Sequence, residues 1–485
     1  MNKTIRRTAV FVLLLVFSLL IRATWVQFYE GRALADNKDN RRLVMEQYAQ
    51  PLGNIIVAGD AITASKRTTG SDLAYKRTYK DGALYAAVTG YSSQVYGATQ
   101  LEGVYRDLLD GTDTQLKNPL DVITNKRAAP GDVVTTIDPD VQKAAYEALG
   151  DKKGAAVAID PSSGKILGVV STPSYDPGTI SGTGDGAAWQ KLTKDTDKPL
   201  VNRALRQPLP PGSTFKLVVA AAALEDGLYS SVDERTVSPN PYTLPLTNRD
   251  LSNENPSAPC ENASIRVALQ YSCNNVFAKM AVDLGQDKVR AMAEKFGFND
   301  AARDVPVRAY ESVYPKDMDK AQTALSGIGQ FDVTATPLQM AMVSAAIANG
   351  GKLVSPHMVD RTSDAEGNVI EDYGSKTSTR EIVSSSTAGQ LQSAMRTVVE
   401  KGTGTNARIS GATVGGKTGT AQHGENNSQT PYAWFTSYAK SDSTGKEVAV
   451  AVIVEQSDAA RSEVSGNGLA APVAKAMMTA ALLKD

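Results

Sequence analysis

The sequence holds 485 residues, 42% hydrophobic and 21% charged, the make-up of a globular protein too long for one ordinary core, so two or three domains are expected. Its 51 basic and 52 acidic side chains leave a net charge of −1, which gives no support for a nucleic-acid partner. The two histidines, His357 and His423, are remote from the two cysteines, Cys260 and Cys273, so no metal site is expected, and neither histidine sits in a motif that would make a Ser-His-Asp hydrolase.

The chain opens with Lys3, Arg6 and Arg7 and then an apolar run over 9–21, broken by Ser18 alone. With Arg22 snorkelling and Trp25, Phe28 and Tyr29 at an interface, residues 8–28 are long enough to span a bilayer, with 1–7 cytoplasmic and the rest outside. Ala33-Leu34-Ala35 imitates a cleavage site but lies too far beyond the apolar run, so an uncleaved anchor is expected. Residues 32–149 are charged and irregular, with short strand-like pieces such as GNIIVAG, and read as a separate, smaller α+β domain. GDVVTTIDPDVQKAAYEAL ends it with a strand and a helix capped near Asp138.

From 150 to 485 the texture changes. GAAVAIDPSSGKILGVVSTP reads as a hairpin, AWFTSYA and EVAVAVIVE as a second, and a terminal helix begins near Ala470. Between the hairpins, helices are predicted over 213–225, 264–271, 275–284, 287–296, 337–349 and 387–400, with loops over 178–186 and 238–259. Strands from both ends of a domain with helices between them predict an α+β fold, one antiparallel sheet covered by helices.

Three short motifs carry chemistry. In LPPGSTFKLVVAAAALEDG, Ser213 and Thr214 open a helix that is apolar on every side from Leu217 to Leu224 and is therefore expected to be buried. Lys216 lies on the face of Ser213. A serine hydroxyl is a poor nucleophile until a base removes its proton. A lysine can do so only when neutral, and moving its pKa from about 10.4 to near 7 costs roughly 4–5 kcal/mol. Desolvation, the positive end of the helix dipole and a second cation nearby would supply that shift. Ser-x-x-Lys recurs at Ser162/Lys165 and Ser443/Lys446, but in turns. The second motif, Ser272-Cys273-Asn274, falls in a break between two helices, and Ser-x-Asn recurs at Ser465/Asn467. The third, Lys417-Thr418-Gly419, occurs once, after Gly415 and Gly416. Glycine in a strand lets a ligand backbone lie close, and a lysine with the hydroxyls of Thr418 and Thr420 suits a carboxylate.

Ser-x-x-Lys, Ser-x-Asn and Lys-Thr-Gly in that order, with NRALRQPLPPGSTFK, GIGQFDVTATPLQMAMVSAAIANGG and GGKTGTAQ before AWFTSYA, resemble the class B, monofunctional penicillin-binding proteins. The likeness is specific over 131–483. It is looser over 32–111, where YGATQLEGVYRDLLDG resembles the family's non-catalytic domain. No glycosyltransferase-like segment precedes it, as expected of the monofunctional class. The resemblance implies a penicillin-binding transpeptidase fold with a helical subdomain over 150–485, a dimerisation or pedestal-like domain over 32–149, and no cofactor.

It also implies roles. Ser213 would attack the penultimate D-alanine carbonyl of a stem pentapeptide and release D-alanine. Lys216 would take the serine proton, and Ser272 would bridge the two lysines and help pass it to the leaving amine. Asn274 would hold the substrate amide. Lys417 would polarise Ser272 and draw the terminal carboxylate, which Thr418 and Thr420 would bond on either side of Gly419. The backbone N–H groups of Ser213 and Thr420 would form the oxyanion hole. The implied partners are peptidoglycan stem peptides, β-lactam antibiotics, the inner membrane, and a SEDS-type glycan polymerase with other cell-wall proteins. A D,D-carboxypeptidase would share these residues but deliver the acyl group to water, and a non-catalytic scaffold or β-lactam sensor is the other alternative. Outside the cytoplasm a Cys260–Cys273 disulfide is permitted and expected, with two buried thiols as the alternative.

Overall fold

The computed structural model describes residues 3–30, 41–69, 71–117, 127–301 and 303–483. Ala33-Leu34-Ala35 lies outside the described residues. The larger sheet has five antiparallel strands in the order Ala412–Ala421, Tyr432–Ser441, Glu447–Gln456, Lys153–Ile159, Ile166–Thr172. Both predicted hairpins lie in it, and the strand carrying Lys417 forms one edge. The sheet is buried on both faces, so its strands read as continuous apolar runs. Ala155, Val157 and Ile159 join one core, and Ala156 and Ala158 the other.

Helices Pro139–Leu149 and Ala471–Leu482 cover one face, and Pro337–Ala348 lies against the other. Asp138 caps the first by accepting from the N–H groups of Asp140 and Val141. Thr336 caps Pro337–Ala348 through the N–H of Gln339, with proline in the first turn where its missing N–H costs nothing. The other predicted helices form within two residues of their expected ends, except at the start of the one after Ser213. There Ser213 and Thr214 are not side-chain caps. Gly212–Phe215 forms a 3₁₀ turn and the α-helix runs over Lys216–Glu225. That helix is enclosed by Asn274–Leu284, Gln286–Phe296 and Ser385–Lys401, which is why it is apolar all round.

A second five-stranded sheet has the order Val369–Asp372, Val359–Ser363, Asp132–Thr135, Ile55–Val57, Asp60–Ala61. Asp132–Thr135 runs parallel to Ile55–Val57 and antiparallel to Val359–Ser363. Two of its strands are therefore lent by a hairpin from the later part of the chain. Beside it lies a buried ion pair, Arg77 Nε to Glu102 Oε1 at 2.6 Å, and Arg77 also donates to the Gly53 carbonyl at 2.7 Å. Near the N-terminus the helix Lys3–Trp25 continues as a wider turn through Glu30 with its apolar side chains exposed. This segment is long and apolar enough to cross a membrane.

Candidate active site

Pro210 and Pro211 end the preceding segment, and the chain is then held on three sides. Trp434 Nε1 donates to the Pro210 carbonyl at 2.9 Å. Thr214 Oγ1 donates to the Pro211 carbonyl at 2.7 Å. The N–H of Gly212 donates to the Gly329 carbonyl at 3.0 Å. Gly212 and Gly329 both have positive φ, +53° and +69°, and a Cβ on Gly329 would stand 2.1 Å from the Gly212 carbonyl oxygen. Only glycine permits that approach. Phe215 packs against Phe298 and Tyr314. Ser213 is thus carried on a turn locked to the sheet, to the GIGQF segment and to the helical core.

Ser272 lies in the break between helices Ile265–Gln270 and Asn274–Leu284, and Asn274 is the first residue of the second. Ser272 sits at φ +59°, a left-handed conformation that costs a non-glycine residue about 1 kcal/mol or more and persists only when its surroundings hold it. They do so here. The N–H of Cys273 donates to the Ala268 carbonyl at 2.8 Å, and Cys273 is disulfide-bonded to Cys260 with Cα atoms 5.6 Å apart. Asn253 accepts from the N–H of Asn274 at 2.6 Å and donates to the Asn275 side chain at 3.1 Å. The Asn275 amide in turn donates to the Ser238, Pro239 and Cys260 carbonyls. Asn274 Nδ2 donates to the Ser252 carbonyl at 2.8 Å, which turns its Oδ1 toward Lys216.

Lys216 and Lys417 are both fully buried and converge on one hydroxyl. Lys216 Nζ donates to the Ser272 carbonyl and to Asn274 Oδ1, each at 2.8 Å, and lies 3.3 Å from Ser272 Oγ. Lys417 Nζ donates to Ser272 Oγ and to the Thr418 carbonyl, each at 2.9 Å. Burial first, and then the neighbouring Lys417 charge, push Lys216 well below the usual lysine range, while Glu254 opposes the shift. Burial pulls Lys417 down to about 7, again against Glu254. The charge of Lys417 thus adds to burial in favouring the neutral form of Lys216. A neutral Lys216 that spends both N–H groups on carbonyl oxygens keeps its lone pair free. Ser272 can then accept from Lys417 while its own proton faces Lys216, a continuous path between the two amines.

Ser213, Asn274 and Thr420 line one cleft of about 670 Å³, with Lys216, Ser272 and Lys417 bonded together behind it. Gly419 packs close to the Pro211 carbonyl, and the Thr418 hydroxyl is paired with that of Thr403 at 2.7 Å. The three motifs therefore meet. Sequence reading missed Asn253, Glu254, Asn275, Thr403 and Trp434. The stretch 252–255, Ser-Asn-Glu-Asn, marks a turn but carries no signal that it folds over Asn274.

Two family models match the chain: "Penicillin binding protein transpeptidase domain" over residues 154–479 and "Penicillin binding protein A dimerisation domain" over 52–133. The chain is 36% identical to a peptidoglycan D,D-transpeptidase PbpA of Mycolicibacterium smegmatis over 496 residues, covering 99% of both proteins. It is 36% identical to the Mycobacterium tuberculosis PbpA over 498 residues, again 99% of both. Among solved structures, the imipenem acyl-enzyme of M. tuberculosis penicillin-binding protein A covers 90% of this chain and 100% of its own, at 35% identity and a TM-score of 0.81. The penicillin G acyl-enzyme gives the same coverage and identity, with a TM-score of 0.80. The buried lysine pair, the order of the motifs and these likenesses agree, and the chain belongs to the penicillin-binding protein transpeptidases.

Proposed function

We propose that the chain is a membrane-anchored peptidoglycan D,D-transpeptidase that β-lactams acylate at Ser213. The observation that carries this is the Ser272 hydroxyl bonded between two buried lysines, directly behind a cleft that Ser213 lines. Ser213 Oγ attacks the penultimate D-alanine carbonyl of a stem pentapeptide and its proton goes to neutral Lys216. The N–H groups of Ser213 and Thr420 take the developing oxyanion charge. The bond to the terminal D-alanine breaks, and the proton reaches its amine through Ser272. Asn274 holds the substrate amide. Lys417 draws the terminal carboxylate with Thr418 and Thr420 beside Gly419. The amine of a second stem peptide then displaces Ser213 and completes a cross-link. The edge strand Ala412–Ala421 has one free side, which suits an extended peptide laid along it.

In this reading residues 1–7 are cytoplasmic, 8–28 cross the inner membrane, 32–149 form the non-catalytic domain and 150–485 the transpeptidase domain. The anchor and the non-catalytic domain would contact a SEDS-type glycan polymerase. The basic residues before the apolar helix support that orientation. Labelling with a fluorescent penicillin followed by peptide mapping tests the nucleophile: label on another serine, or undiminished label in Ser213→Ala, overturns it. Product analysis with a pentapeptide donor, with and without an amine acceptor, separates cross-linking from carboxypeptidase action.

A further inference from the structure

The loop that folds over Asn274 is almost fully committed. The Ser252 carbonyl and the Asn253 side chain both serve the Ser272–Asn275 segment. Glu254, next in sequence, does not. It is exposed, lines the cleft with Ser213 and Thr420, is the single carboxylate in that lining, and has no ion-pair partner among the described residues. Its charge nevertheless reaches Lys216 and Lys417, and favours their protonated forms. A carboxylate that works against the general base, and holds nothing in place, calls for a use of its own.

We propose that Glu254 is the acceptor subsite: it receives the positively charged amine of the second stem peptide before that amine attacks the acyl ester on Ser213. The proposal rests on the transpeptidase reading above. The ammonium first gives one proton to solvent. Its nitrogen then bonds to the acyl carbon, the bond from that carbon to Ser213 Oγ breaks, and a second amine proton passes through Lys216 to Ser213 Oγ.

The test uses the full-length protein, wild type and Glu254→Gln, with a D-alanyl thioester donor at pH 8. Two acceptors are compared: Nα-acetyl-lysinamide, an ammonium, and hydroxylamine, which is uncharged. The readout is the ratio of aminolysis to hydrolysis product. That ratio is decided after the acyl-enzyme forms, so the acylation rate does not enter it. Glu254→Gln is expected to lower the lysinamide ratio about fivefold more than the hydroxylamine ratio, equivalent to about 1 kcal/mol for an exposed ion pair. Equal falls for both acceptors would mean a loop-folding role, and no fall would mean no role; either overturns the subsite alone. Failure of the wild type to form an acyl-enzyme on Ser213 overturns the transpeptidase reading and the subsite with it.

Discussion

The strand that carries Lys417 is ten residues long and pairs along its whole length with a ten-residue neighbour. The sheet beside the N-terminal region is made of strands of two to five residues, drawn from three stretches of chain. The first sheet is a rigid platform buried on both faces, and it positions chemistry. The second joins distant segments, and its strands carry none of the three motifs. The contrast teaches where precision is needed. Holding Lys417 on the sheet 2.9 Å from a hydroxyl carried by the helical core requires the two to be fixed against each other, whereas joining segments requires only that their edges meet.

The sharpest way to break this division is Lys216→Arg. Arginine keeps the charge but cannot lose it, so penicillin acylation should fall by about 10²–10⁴, read by stopped-flow fluorescence. A near-normal rate in a folded variant would make Lys216 structural and return the base to some other group.

On the other side of the comparison, Glu102→Ala leaves Arg77 charged and buried without its partner. Denaturant unfolding should show a loss of about 3–5 kcal/mol, while penicillin labelling per folded molecule persists. Loss of label in step with stability would show that the two sheets do not divide the labour. Between these lies the disulfide. Its loop spans 13 positions, and replacing both cysteines by serine should cost about 3 kcal/mol. Acylation should slow as well, because the backbone holding Ser272 at φ +59° loses its tether.

The smallest expected effect is a slope. Burial pulls Lys417 down to about 7 in the folded protein, against about 10.4 for an unfolded lysine, so between those values the unfolded chain binds the extra proton. The buried lysine's cost is full below pH 7 and is relieved as pH rises. Lys417 should therefore contribute a climb in stability between pH 7.5 and pH 9.5 of up to about 1.4 kcal/mol per pH unit, beside that of Lys216, which burial also holds well below the usual lysine range. Lys417→Met should flatten the climb in urea titrations at the two pH values, and an unchanged slope would place Lys417's proton elsewhere.

What could be read in advance follows the same division. The strands Lys153–Ile159 and Glu447–Gln456 announce themselves as apolar runs, and Lys216 as a charge at the mouth of an apolar helix. Local pattern and final position coincide there. They do not at Asn253, Glu254 and Asn275, whose meaning depends on a loop closing over a helix break some twenty residues away. Nor do they at Val359–Ser363, whose partner strand lies far earlier in the chain. The capping expectation at Ser213 failed for a related reason. The turn is dictated by the close approach of Gly329, a contact between remote segments that overrides the usual preference of serine and threonine for the cap position.

The borrowed hairpin also bears on the order in which the protein can be made. A chain made from its N-terminus delivers Ile55–Val57 and Asp132–Thr135 early. Yet, among the described residues, the far side of Asp132–Thr135 pairs with Val359–Ser363, and the neighbouring contact between Thr136 and His357 joins residues 221 apart. Until that hairpin emerges, the nascent sheet presents a row of unpaired N–H and C=O groups. Assembly of the first-made region therefore waits on the last third of the chain, and a chaperone would find its natural client in that interval.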